Sequence, residues 1–357
     1  MIGLSIVGGL AYFDTFHTSP PKSVAEKPIP PPVAQKPSPP AVAEKPATTT
    51  DKPAEPKSLA VMATDNPPKP PEPQSPPKPQ SSPTPPAVED KEPVDPAARE
   101  LILRGWTLYY EPYTAAKWQE ARRDFERALE IDARSSEARI GLASVLSAKL
   151  ADGWSPVLQE DMPRAEHLLS EAIDGGASNR AAAHFTLGLL RQMQNRLSEA
   201  QKEFETAVFL DPNNPRIYLH LGETLLYLGQ PEAAIPPLQQ AIRLRPDDPN
   251  IAITYWALGT CQLLSGRVDQ AVNLLQTASQ SNGRLWVLYF YLAGAYGLKG
   301  DLDAARSALA ESLRLKPALR SLARMRADNP WLSNSQYWAL QEKTLNAGLR
   351  RVGFPDQ

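Results

Sequence analysis

Residue types on which many catalytic and metal sites depend are scarce in this chain. Its 357 residues include one cysteine, Cys261, and four histidines. A single cysteine excludes disulfides within the chain and zinc sites built from cysteine pairs. No histidines stand at the His-x3-His or His-Glu-x2-His spacing that presents metal ligands on one helix face. The sequence therefore predicts no metal site, and Cys261 is interpreted as a small core residue.

Glycine-rich phosphate loops and nucleophile motifs are also missing. The chain has no Gly-x4-Gly-Lys-Ser/Thr, no Gly-x-Gly-x2-Gly and no Gly-x-Ser-x-Gly. Its formal net charge of −2 argues against a nucleic-acid partner, which would favour a basic surface. We predict a protein that is not an enzyme, with no catalytic residue and no cofactor.

Arginine and aromatic residues are missing altogether from residues 19–96, which hold 25 of the 38 prolines. Lys-Pro recurs six times in this stretch, and its few apolar residues are small or scattered. Such a composition cannot bury enough apolar surface to fold. The sequence predicts a disordered Pro/Lys-rich linker, a semi-rigid spacer of the polyproline II type.

An apolar N-terminal segment, residues 1–18, precedes the linker. Residues 1–13 have no charge, but the run is shorter than the roughly 20 residues that span a bilayer. It also lacks the basic start and clear cleavage site of a signal peptide. Three interpretations stay open: a weak membrane anchor or export segment, the distal part of a transmembrane helix that begins upstream, or an apolar tail. Because a long spacer follows, we expect a membrane-anchored, extracytoplasmic (periplasmic) protein, with a cytoplasmic one as the alternative.

A small-large-small pattern recurs six times after residue 96. Its spacings of 4 and 3 residues place all three side chains on one helix face. The first members lie 44, 35, 34, 37 and 34 residues apart, a period near 34 that is typical of helical repeats. The six sets are Ala121-Phe125-Ala128, Ala165-Leu169-Ala172, Ala200-Phe204-Ala207, Ala234-Leu238-Ala241, Ala271-Leu275-Ala278 and Ala305-Leu309-Ser312.

In three units each, a Leu-Gly pair precedes the pattern and a proline follows it. These residues are Leu187-Gly188, Leu221-Gly222 and Leu258-Gly259, with Pro212, Pro246 and Pro317. Together they resemble the tetratricopeptide repeat. The resemblance implies an all-α fold, a right-handed α-α superhelix. It divides the chain into six repeats over 97–317 and a C-terminal capping segment over 318–357, in which Tyr337, Leu340, Leu345 and Leu349 would cover the last repeat.

A second resemblance concerns the end of the chain. The run from Asn346 to Asp356 is similar to the terminus of bacterial multidomain proteins that join an adenylate or guanylate cyclase, or a winged-helix regulator, to a tetratricopeptide half. The tetratricopeptide half of those proteins is also similar to two further segments of this chain, Arg104-Gly105-Trp106 and Ala234–Leu238. This resemblance implies an alternative function, the regulatory or sensory half of a split cyclase or transcriptional-regulator system.

The tetratricopeptide resemblance also implies a binding surface, because the first helix of each repeat lines the concave side of such a solenoid. A core role is the alternative for each residue at these positions. We expect a non-enzymatic scaffold that binds a protein or peptide partner with apolar or aromatic side chains. The predicted groove residues are Phe185, Leu189, Arg216, Leu219, Glu223, Tyr227, Trp256, Thr260 and Phe290.

Overall fold

The computed structural model describes residues 95–110, 114–151, 158–176, 179–329 and 332–357. Over these ranges the backbone is helical and contains no β-strand. The predicted N-terminal segment and nearly all of the predicted linker lie outside the described residues. The helices are α1 Pro96–Tyr110, α2 Ala115–Ile131, α3 Ser136–Ala151, α4 Leu158–Asp174, α5 Arg180–Met193, α6 Leu197–Leu210, α7 Pro215–Tyr227, α8 Pro231–Leu244, α9 Ile251–Leu264, α10 Val268–Ser281, α11 Trp286–Lys299, α12 Leu302–Leu315, α13 Leu322–Ala327, α14 Ser335–Gln341 and α15 Ala347–Arg351, with a π-helical turn, Glu342–Asn346, between the last two.

The helices α1 to α12 form six successive pairs, numbered here as units 1 to 6. Within a unit the first helix packs along the second, and the second packs against the first helix of the next unit. The first helices of neighbouring units also contact one another, from α1 to α11. This arrangement confirms the predicted all-α solenoid of tetratricopeptide type.

The small-large-small pattern forms the contact between the two helices of a unit. All of its members are buried, and most have no exposed surface. The large residue fills the space that a glycine leaves open on the first helix: a Cβ atom added to Gly188 would lie 2.6 Å from Phe204, and one on Gly222 would lie 2.5 Å from Leu238. The Leu-Gly pair and the large member of the pattern are therefore complementary halves of one close helix contact.

The turn inside each of the last three units requires a left-handed backbone conformation. Gly229, Gly266 and Gly300 follow the first helices with φ angles of 75°, 77° and 90°. Glycine adopts such angles without steric cost and commonly ends helices in this way. Asn195 takes the same place in unit 3 with φ 58°, and asparagine is among the residues that tolerate it.

The end of the chain, residues 332–357, is called the terminal segment below. Its helix α15 crosses α11 where both backbones carry glycine, and a Cβ atom added to Gly297 would lie 2.1 Å from the backbone oxygen of Gly348. Leu345 and Leu349 of the segment have no exposed surface. Since no side chain separates the two helices at this point, the segment is held directly against the first helix of unit 6.

The terminal segment also reaches back along the inner side of the solenoid. The Asn195 amide, in the turn of unit 3, donates a hydrogen bond to Ser333. The ring of Tyr337 packs edge-on against Tyr227 of α7, with 5.8 Å between centroids. The segment packs on the last repeat, as the sequence predicts for Leu345 and Leu349, and it also contacts units 3, 4 and 5.

None of the described helices is both long enough and apolar enough to cross a lipid bilayer.

Candidate functional site: a groove along the first helices

A groove with a volume of about 560 Å³ runs along the first helices of units 1 to 5. Residues of α1, α3, α5, α7 and α9 contribute most of its lining. Because every first helix turns the same face inward, the repeat itself creates this continuous surface. In units 5 and 6 the inner side carries the terminal segment.

Six of the nine predicted groove residues line this cavity. Phe185 and Leu189 lie one turn apart on α5, and Arg216, Leu219, Glu223 and Tyr227 follow one face of α7. Spacings of three and four residues keep the α7 side chains on that face. The structure therefore brings these six residues together; whether a partner contacts them stays a prediction.

The other three predicted residues lie in the core. Trp256, Thr260 and Phe290 are 1%, 0% and 1% exposed. Trp256 packs edge-on against Tyr291 with 5.6 Å between ring centroids, and Phe290 packs against Phe354 at 5.4 Å. The prediction that these residues face an open groove is corrected, because the chain's own terminal segment packs on the first helices of units 5 and 6.

The N-terminal end of the groove holds an aromatic cluster that is absent from the predicted groove residues. Trp106, Tyr109 and Tyr110 of α1 all line the cavity. The rings of Trp106 and Tyr110 are stacked, with centroids 5.7 Å apart, and Tyr109 meets Trp106 edge-on at 5.6 Å. Their position on the first helix of unit 1 could have revealed them, but the longer spacing between Gly105 and the first repeat pattern obscured the register.

Polar side chains form the floor of the groove between units 3 and 4. The Gln192 amide donates a hydrogen bond to the Thr224 hydroxyl over 2.6 Å, and that hydroxyl donates to the backbone oxygen of His220. The Nδ1 atom of His220 lies 3.1 Å from Oε2 of Glu223. Glu223 is 1% exposed although it lines the cavity, so a carboxylate stands at the bottom of a largely apolar groove.

Two buried groups near the groove are chemically inert at ordinary pH. Burial, together with the charge of Glu223, raises the pKa of Tyr227 well above its usual value, so its hydroxyl stays protonated. Burial likewise raises the pKa of the Cys261 thiol, and Cys261 has no exposed surface. A thiol held in its neutral form is a poor nucleophile. Cys261 is thus the small core residue that its position in α9 predicted.

No group of three or more His, Cys, Asp or Glu side chains in the described ranges could hold a metal ion. The polar groups at the floor of the groove are suited to hydrogen bonding and charge recognition.

The family comparison agrees with this architecture. Residues 214–281, which include units 4 and 5, match the family model described as Tetratricopeptide repeat. Units 4 and 5 therefore match the tetratricopeptide repeat, and the fold is a solenoid of that type with an open groove along the first helices of its N-terminal and central units.

Particular relatives match only part of the chain. A Rhizobium meliloti (strain 1021) protein that carries the name adenylate cyclase 3 is 31% identical over 113 residues, 32% of this chain and 19% of that protein. BBSome complex member BBS4 of Bos taurus is 24% identical over 160 residues, 45% of this chain and 30% of that protein. Among solved structures, pilF of Pseudomonas aeruginosa superimposes with a TM-score of 0.49 at 20% identity, over 69% of this chain and 97% of that one. The chain thus spans less than a third of the length of either curated relative.

Proposed function

We propose that this protein is a non-enzymatic interaction module that binds an extended or helical peptide of a protein partner in its groove. The observation that supports this is the half-buried apolar lining of Phe185, Leu189 and Leu219 along one open cavity. Peptide recognition in such grooves rests on a few apolar anchors that become buried on binding. Tetratricopeptide repeats generally serve protein–protein interaction, and the chemistry of this cavity is in keeping with that use.

The proposal is tested with a defined probe. A phage-displayed library of random dodecapeptides is selected on the full-length chain, and the affinities of the selected peptides are measured by calorimetry. The double variant Leu189→Ser/Leu219→Ser should weaken them at least about fivefold, which is the effect of losing a single apolar anchor worth about 1 kcal/mol. The control is Phe209→Ser, a large apolar residue that is 62% exposed and lies on the second helix of unit 3. Equal binding by the double variant and the control would refute binding in the groove.

A second candidate function is the regulatory or sensory half of a cyclase or transcriptional-regulator system. It is favoured by the match to the Rhizobium meliloti protein named as an adenylate cyclase and by the similarity of the chain's terminus to such proteins. A cyclase domain encoded by a neighbouring reading frame, with cyclase activity that co-purifies with this chain, would support it. Purification free of cyclase activity from cells that express both reading frames would exclude it.

We also propose that residues 1–96 tether the repeats to a membrane on its extracytoplasmic side. The uncharged run of residues 1–13 and the proline-rich stretch after it support this reading. Fractionation of the full-length, C-terminally tagged chain should recover it with membranes or the periplasm. Recovery as a cytoplasmic protein with an intact N-terminus would contradict the proposal.

A further inference from the structure

The groove contains a carboxylate with a buried oxygen atom that has no hydrogen-bond partner. Oε2 of Glu223 lies 3.1 Å from Nδ1 of His220, but that nitrogen and Oε1 of Glu223 are both buried without a hydrogen-bond partner. The Tyr227 hydroxyl, one turn further along α7, is also buried without a partner. A buried carboxylate oxygen without a donor costs free energy that an incoming donor would recover. The floor of the groove is thus prepared for a group that donates hydrogen bonds.

The surroundings of Glu223 favour a cation over a neutral donor. The basic side chains that line the groove already have neighbours: Arg216 lies over the Phe185 ring at 5.4 Å, and Arg245 lies 3.7 Å from Asp248. Of the acidic residues in the lining, Asp211 accepts a hydrogen bond from the Asn214 amide at 3.2 Å. Glu223 is therefore the acidic residue at the floor of the groove whose Oε1 atom can still accept a hydrogen bond.

The aromatic cluster of α1 points to the same chemistry. Trp106, Tyr109 and Tyr110 line the same groove, and the faces of such rings attract cations, most of all where water is partly excluded. The Arg216–Phe185 contact is a cation–π pair of this kind already present in the groove. A basic side chain flanked by apolar residues would satisfy the carboxylate and bury its neighbours against Leu189 and Leu219.

From these contacts we propose that the groove selects a partner peptide with an arginine or lysine side chain, which Glu223 reads through its unpaired Oε1 atom. This inference rests on the proposed function, because it names the chemistry of the peptide that the groove would bind. Glu223 is the specificity-determining residue, and Phe185, Leu189 and Leu219 supply apolar contact to any peptide of suitable shape.

The experiment uses the dodecapeptides selected on the full-length chain. Each selected peptide is remade with arginine replaced by citrulline, or lysine by acetyl-lysine, which keeps the shape and removes the charge. On the wild-type chain we expect the neutral peptide to bind at least about tenfold more weakly than the basic peptide. The neutral peptide cannot form the charge-assisted hydrogen bond with Glu223, and the carboxylate then stays buried and unpaired. On Glu223→Gln that ratio should fall below about twofold, while the neutral peptide binds both chains alike, which also shows that the variant is folded.

The matched control is Glu232→Gln, at an exposed position on the second helix of unit 4, which should keep the tenfold ratio. Selected peptides without a basic residue, or an unchanged ratio in Glu223→Gln, would overturn the inference and leave the groove as a peptide site. Enrichment of acidic peptides, read by Arg216 and Arg245, would overturn it as well. A different result would contradict the proposed function itself: selected peptides that bind Leu189→Ser/Leu219→Ser as tightly as the wild-type chain.

Discussion

At the residue scale, Trp256 is a core side chain and not a binding residue. It is 1% exposed and among the largest fully buried side chains of the described structure. Trp256→Ala should destabilise the solenoid by about 3–5 kcal/mol, because a large cavity replaces the indole. Urea unfolding followed by circular dichroism measures this loss. Phe209→Ala, at a residue that is 62% exposed, should change stability by no more than about 0.5 kcal/mol. Similar values for the two variants would contradict the core assignment.

The hydroxyl cluster beneath the terminal segment gives a second residue-scale prediction. Tyr291 accepts a hydrogen bond from the Gln341 amide at 2.8 Å and lies 3.2 Å from the Tyr337 hydroxyl. Burial raises the pKa of Tyr291 to about 12, above the value near 10 of an exposed tyrosine. Between pH 10 and 12 the unfolded chain has lost this proton while the folded chain keeps it. Stability therefore falls as the pH rises through this window.

The measurement is urea unfolding at pH 8 and pH 11, with Tyr291→Phe as the comparison. Other groups titrate in the same range, but the phenylalanine variant lacks this proton. Its stability should decline less steeply than that of the wild type, by up to about 1.4 kcal/mol per pH unit. Parallel curves for the two chains would show that Tyr291 is not held neutral by burial.

At the element scale, two glycines decide how the terminal segment docks. A Cβ atom on Gly297 would lie 2.1 Å from a backbone oxygen of Gly348, and backbone cannot move aside as a flexible side chain can. Gly297→Ala should displace α15 from α11 and accelerate amide exchange in residues 335–351, with little change in α3 and α4. Hydrogen–deuterium exchange read by mass spectrometry resolves these regions.

The control for this variant is Gly283→Ala, where the nearest atom to the added Cβ is the Tyr289 hydroxyl at 3.2 Å. That side chain can yield, so exchange in the terminal segment should stay close to wild type. If Gly297→Ala leaves residues 335–351 as protected as Gly283→Ala does, the segment is not held by the close backbone contact.

At the scale of the whole molecule, each unit packs against its neighbours, and units 3 to 6 also contact the terminal segment. Damage in one unit should therefore reach its neighbours first. Ala234 has no exposed surface, and its backbone oxygen would be 3.4 Å from a Cβ on Gly222. Ala234→Leu should therefore cost about 1–3 kcal/mol by overpacking. Amide exchange should rise in residues 215–278 more than in residues 114–130. A uniform rise along the chain would instead indicate that the repeats unfold as one cooperative body.

Local pattern determined most of the repeat architecture. The sets such as Ala200-Phe204-Ala207 predicted which helix faces are buried, because residues four and three apart necessarily share a face. The first helices of units 4, 5 and 6 end at Gly229, Gly266 and Gly300, because glycine enters the left-handed region without steric cost. The same register placed Phe185, Leu189 and four residues of α7 on the groove. It failed in unit 1, where the irregular spacing concealed Trp106, Tyr109 and Tyr110.

Only the tertiary structure decided where the groove stops. Phe290 and Phe354 lie 64 residues apart in sequence, and Tyr291 and Tyr337 lie 46 apart, yet each pair is in contact. The repeat period does not predict such contacts, because the terminal segment occurs once in the chain. Its docking depends on shape complementarity with α11. The sequence by itself determined a helical solenoid whose first helices line an inner face. Long-range packing determined that the terminal segment covers this face in units 5 and 6 and also touches units 3 and 4, and that the groove runs from unit 1 to the start of unit 5.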